Sequence, residues 1–253
     1  MNKLIDSIKK DFNTMTLVLI PVAIAINIVI GQIVVLLKLP VYLDSIGTVL
    51  VGAIAGPWAG ALTGTLSNII WGLLIDPNAL PWFPVAAAIG FVAGWAAHYG
   101  LFRVWWKVII AGLCIAVAST LTSTPIAVYL YGGITASGSS FITAYLLATG
   151  QGLWQAVVGT NLLTEPVDKT ATALLAYAII QGLSMRYLSR FPRAENVQKE
   201  ETKQVTLWMA VFALLAIIAT ILAGVLVSPL FIWVGVFVAV VVIAATLLTS
   251  RRS

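Results

Sequence analysis

The chain has 253 residues, of which 60% are hydrophobic and only 9% charged, with a mean hydropathy of +1.03. That balance excludes an ordinary soluble domain, and long unbroken apolar runs in place of short alternating segments exclude a β-barrel. A single cysteine, Cys114, and a single histidine, His98, exclude an intrachain disulfide, a cysteine cluster and a multi-histidine metal centre.

The sequence therefore predicts an all-α polytopic membrane protein, each crossing needing roughly 20 apolar residues. Residues 1–14 form a polar, amphipathic start with Lys3, Lys9 and Lys10. The first apolar run, 15–37, reads as a retained helix because no small-residue cleavage site follows it. It carries Ala23, Asn27 and Gly31 at four-residue spacing, and a loop with Tyr42 and Asp44 comes after it. Two further apolar segments, 45–56 and 58–75, hinge at Gly56-Pro57. Along them Gly52, Gly56, Gly60, Gly64, Asn68 and Gly72 recur every fourth residue. Such a seam of small side chains lets a neighbouring backbone approach closely. With Asp44 above it, the seam reads either as the wall of a small compartment or as tight packing alone.

The loop DPNALP leads to a fourth span, 82–102, with Ala86, Gly90 and Gly94 as its seam; a basic-aromatic hinge at 103–107 and a fifth span, 108–129, follow. Residues 131–164 open with GGITASGSS and continue as FITAYLLATGQGLWQAVVGTNLL, either a span or a re-entrant excursion. A span begins at Glu165, a charged linker covers 191–204, and 205–250 holds two apolar helices separated by Ser228-Pro229.

Charge decides the re-entrant question. If 141–163 does not cross, all of the 14 basic residues except Lys38 and Lys169 fall on one side. If it crosses, the basic cluster from Arg186 to Lys203 moves outside, against the positive-inside bias. The expectation is eight spans, both termini cytoplasmic, and an outer lid segment at 131–164. The net charge of +5 then reflects topology and calls for no nucleic acid.

No enzyme signature emerges: no phosphate-binding glycine loop, no histidine pair for a metal, no nucleophile paired with a base. The chain is expected to be no enzyme and to need no cofactor. Acids and bases all fall near predicted span ends, which weighs against a proton-coupled carrier. The deeper polar groups are neutral. Thr122 and Thr124, beside Pro125, either bond their own helix or face a ligand. Trp71 lies near Asn68, and Trp154 lies near Gln151 and Asn161, a set suited to a small polar-aromatic ligand. Trp82 and Tyr131 fit an aromatic belt at the headgroups. Glu165, Asp168 and Lys169 read as a solvated helix start, a local ion pair or ligand groups.

Residues 15–190 resemble the S component, the substrate-binding membrane subunit, of an energy-coupling factor transporter. Three stretches carry the resemblance: VYLDSIGTVLVGAIAGPWAGALTG, the TSTP and GGITASGSS region, and EPVDKTATALLAYAIIQGL before a basic end. It implies a six-helix core that captures a vitamin or similar micronutrient from outside, with the extra hairpin 205–250 beyond it. It also implies partners: a transmembrane coupling protein and two cytoplasmic ATPases in a prokaryotic plasma membrane. Docking would use a small-residue face on the first helix, here Ala23, Asn27 and Gly31, where the asparagine departs from the family's Ala-x-x-x-Ala. The expected substrate residues are Tyr42, Asp44, Asn68, Trp71, Thr122, Thr124, Gln151, Trp154 and Asn161. Two other readings stay open, an autonomous secondary carrier for a small neutral solute and a membrane scaffold.

Overall fold

A computed structural model describes residues 2–197. The expected hairpin at 205–250, and residues 198–204 of the linker, lie outside the described residues. Those described are mostly helical and contain no strand.

The helices are α1 (Asn2–Asp11), α2 (Thr14–Leu36), α3 (Ile46–Ala55), α4 (Pro57–Leu74), α5 (Phe83–His98), α6 (Trp105–Tyr131), α7 (Ser140–Ala148), α8 (Leu153–Gly182) and α9 (Met185–Leu188). A 3₁₀ segment, Pro77–Trp82, runs into α5. Three stretches are long and apolar enough to cross a membrane: Thr14–Leu36, Pro77–His98 and Trp105–Tyr131. Exposed leucines, valines and isoleucines on α2 and α6, such as Val22, Val29, Val117 and Leu121, are the surface expected of helices facing lipid.

The short α3 is the centre of the bundle. All its residues are buried, from Ile46 to Ala55, because it is apolar on every side and packs against α2, α4, α5 and α8. Enclosed by other helices, it exposes none of its ten residues.

The four-residue seam is real, and most of it is filled. Gly52 and Gly60 lie against the Gly90 backbone, and a Cβ built on Gly60 would come 2.5 Å from the Gly90 carbonyl oxygen. Gly64 abuts Ala86, and Gly94 abuts Pro57. Over Gly52–Gly64 and Ala86–Gly94 the two seams predicted on separate segments pack against each other and hold α4 to α5, while at their other end Asn68 and Ala86 line a cavity.

The hinge at Gly56 has φ +125°, a conformation side chains rarely adopt. The Asp11 carboxylate sits directly over it, where any Cβ would collide. Asp11 Oδ2 accepts from the Trp58 N–H (3.0 Å) and thereby caps α4, while Oδ1 takes the Arg193 guanidinium at 2.8 Å. The Arg193 N–H donates to the Ile54 carbonyl at the end of α3 (3.1 Å). The start and the end of residues 2–197 are thus tied to one hinge.

The largest departure from the sequence reading is α8. It runs unbroken for 30 residues with Pro166 inside it, so no boundary separates a lid ending at Thr164 from a span opening at Glu165. The excursion before it is only α7 and the turn at 149–152. Gly112 of α6 lies against Thr170, bringing α6 and α8 close along their middles.

Candidate functional site

At the end of the bundle opposite the Asp11–Arg193 clamp lies a cavity of about 140 Å³, walled by α4, α5, α6 and α8. Residues 37–45 and 132–139 border it. These loops are latched together. Tyr42 and Ser139 share a hydroxyl hydrogen bond of 2.8 Å, and Lys38 Nζ donates to the Ala136 carbonyl at 2.9 Å. Leu43 and Lys38 have φ of +48° and +52°, unusual for residues with side chains. The first is held there by Asp168, whose Oδ1 accepts from both the Tyr42 N–H (2.7 Å) and the Leu43 N–H (2.9 Å).

Asp168 belongs to a charged cluster on α8 of which Glu165 and Lys169 line the cavity. Lys169 Nζ lies 2.5 Å from Asp168 Oδ2, 3.8 Å from Glu165 Oε2 and 3.9 Å from Asp44 Oδ1. It also sits 5.3 Å from the centre of the Tyr42 ring, an attractive cation–π distance. Asp168, Lys169 and Glu165 are buried at 0, 2 and 3% exposure. Burial first, and the Glu165 charge second, push the Tyr42 phenol up to about 12, so it stays neutral at physiological pH.

The sequence reading is corrected here. Glu165, Asp168 and Lys169 are not a solvated helix start: α8 begins at Leu153, so they lie in its interior. Ionisable groups are therefore buried within the bundle, where they are costly and mark function.

The opposite wall is aromatic. Trp71 is buried, with its indole N–H donated to Gln32 Oε1 at 3.0 Å. Trp82 stacks on Tyr131 with ring centres 5.3 Å apart, and the Tyr131 hydroxyl donates to the Asn78 carbonyl at 2.8 Å. Both line the cavity, so a place in a headgroup belt does not account for them fully.

Five of the expected substrate residues line this space: Tyr42, Asp44, Asn68, Trp71 and Asn161. Asn161 Nδ2 is turned toward α6, donating to Ser123 Oγ (3.2 Å) and Thr124 Oγ1 (3.0 Å). Thr124 holds that amide and does not itself line the cavity; Thr122 returns its hydroxyl to the Ala118 carbonyl at 2.7 Å. Gln151 and Trp154 are exposed at the start of α8, and Trp154 packs edge-to-face on Tyr129, 5.6 Å away. Of the residues expected at a docking face, Ala23 packs against Gly47 and Gly31 against Trp71. Asn27 donates to Thr48 Oγ1 (2.8 Å) and Ser67 Oγ (2.9 Å) and accepts from the Gly47 N–H (2.7 Å). All three are buried inside the bundle, where their contacts hold α2 to α3 and α4.

Two buried atoms on the cavity wall, Ser119 Oγ and Glu165 Oε2, make no well-formed hydrogen bond, and their side chains lie beside each other. Such atoms are uncommon and costly. The four-residue spacing of Ser119, Ser123 and Ala127 marks the α6 face toward the cavity; the run Thr122–Ser123–Thr124 marks only the level. Among the described residues no cluster of histidine, cysteine or carboxylate side chains is suited to a metal ion. No family model, curated protein or solved structure matches this chain.

Proposed function

We propose that the chain is the substrate-binding membrane subunit of an ATP-driven importer of the energy-coupling factor type. In this reading it captures a vitamin or similar small micronutrient from outside a prokaryotic cell. The observation that carries it is the cavity of about 140 Å³ bordered by two latched loops, with aromatic rings on one wall and buried polar groups that lack a well-formed hydrogen bond on another. Pockets for small molecules combine apolar walls with a few placed polar groups in this way.

The chain itself carries out no catalysis; a transmembrane coupling protein and two cytoplasmic ATPases supply the work. In this reading residues 1–253 cross the membrane eight times, with both ends of that stretch on the cytoplasmic side. Charge supports that orientation. Lys10 and Arg103 both reach Glu195, and Arg193 reaches Asp11, all at one end, while Lys38 lies with the cavity loops at the other.

A pull-down of tagged protein from its native membrane in mild detergent, with mass spectrometry of proteins and metabolites, tests this reading. The expected result is recovery of two ATPases, a coupling protein and a stoichiometric metabolite. Recovery of the chain alone and empty would overturn it.

The buried charges of α8 favour a second reading, an autonomous carrier coupled to an ion gradient. It requires uptake by the purified chain in liposomes without ATP; the importer reading expects none.

A further inference from the structure

The charges around the cavity do not balance. Among the described residues, Asp44, Asp76 and Glu165 line it together with one cation, Lys169. That ammonium is already committed to Asp168, at 2.5 Å. Asp168 does not line the cavity, and its second oxygen is filled by two backbone N–H groups. Glu165 and Asp44 lie 3.8 and 3.9 Å from Lys169, beyond hydrogen-bonding distance. Asp44 has the Ser45 hydroxyl, and Asp76 has the Asn78 N–H groups. Glu165 is the most buried of the three: besides Lys169, the polar group beside it is the Ser119 hydroxyl on the same wall, and its Oε2 makes no well-formed hydrogen bond.

An anionic ligand would meet three carboxylates and a lysine whose charge is spent. A neutral ligand would leave the buried Glu165 carboxylate without a full counter-charge. A cationic donor answers both conditions, and the aromatic rings of Trp71, Trp82 and Tyr131 in the lining suit the same charge.

We infer that the ligand of this cavity is a small organic cation. Its protonated amine donates to Glu165 Oε2, and a compact ring or alkyl body lies against Trp71 and Trp82. The inference rests on the binding-subunit reading and narrows its substrate class.

Three probes of nearly equal size test it by calorimetry on the full chain in nanodiscs at neutral pH: benzylamine, benzyl alcohol and benzoate. The expected result is saturable binding of benzylamine, at least tenfold tighter than either of the others. In Glu165→Gln that preference should fall at least tenfold, and in Asp44→Asn, a change on a partly exposed loop, at least threefold. Asp44→Asn decides the matter if Glu165→Gln fails to run as a monodisperse species. The inference is overturned if benzyl alcohol or benzoate binds as well as benzylamine, if benzylamine does not saturate, or if a folded variant keeps the full preference. None of these results touches the binding-subunit reading, which stands if a metabolite is recovered with the chain from its own membrane and falls if the chain comes down alone and empty.

Discussion

Tyr42 ties the chemistry of the cavity to its closure, and it should leave a mark on stability at alkaline pH. Its phenol is pushed from the ordinary value of 10 to about 12 by burial and then by the Glu165 charge. The fold therefore favours the neutral form. That contribution is complete below pH 10 and is lost as pH rises through 12. Tyr42→Phe should lack this part of the alkaline decline in thermal unfolding, and at pH 7 should cost only the bond to Ser139, about 1 kcal/mol. Parallel alkaline slopes for the two proteins would assign the decline to other groups. At this scale the sequence was readable where a residue type was rare in its surroundings: Tyr42, Asp44, Asn68, Trp71 and Asn161 stand out in apolar runs and do reach the cavity. It was unreadable where only the direction of a side chain matters. Thr122 and Thr124 lie at the right level of α6 but bond to their own helix, and Ser119 and Ser123 face the cavity in their place.

Helix α8 shows why element boundaries resist a sequence reading. Glu165-Pro166 resembles a helix start, since proline fits the first turn, yet Pro166 lies inside a 30-residue helix. Packing against α6 and α7, including the 2.9 Å bond between Thr143 and Thr160, carries the helix past the proline. The misplaced start also hid the buried charges, because acids at an expected helix terminus look solvated. The glycine periodicity was legible as close packing, and its mate on α5 was visible as well; that one would fill the other needed the three-dimensional arrangement. Gly90→Ala puts a methyl group into the Gly60 backbone, and overpacking of this kind costs about 1–3 kcal/mol. A lowered midpoint of thermal unfolding is expected. An unchanged midpoint would mean that α4 and α5 can move apart without loss.

For the whole molecule, the proposed orientation makes a simple demand on labelling. In a Cys114→Ser background, Ala136→Cys should react with a membrane-impermeant maleimide added to intact cells. Arg186→Cys should react only after the membrane is opened. Both side chains are exposed, so the reversed pattern would invert the topology. The class of the protein was legible from composition alone, because nothing but a bilayer accommodates this much apolar surface. The uneven placement of lysine and arginine supplies the expected orientation, which the labelling pattern tests.

Asp168 has a consequence at this scale. One oxygen neutralises Lys169 and the other fastens the Tyr42 and Leu43 amides, so the carboxylate links the charge state of the interior to the shape of the mouth. The two equilibria are thermodynamically reciprocal. A cation that draws negative charge away from Lys169 tightens the pair with Asp168, and the loop amides should then exchange their hydrogens with deuterium more slowly. Conversely, a loop locked shut will report as higher affinity within, with no new contact to the ligand. Faster or unchanged exchange at Tyr42 and Leu43 on saturation would show that the mouth and the interior respond independently.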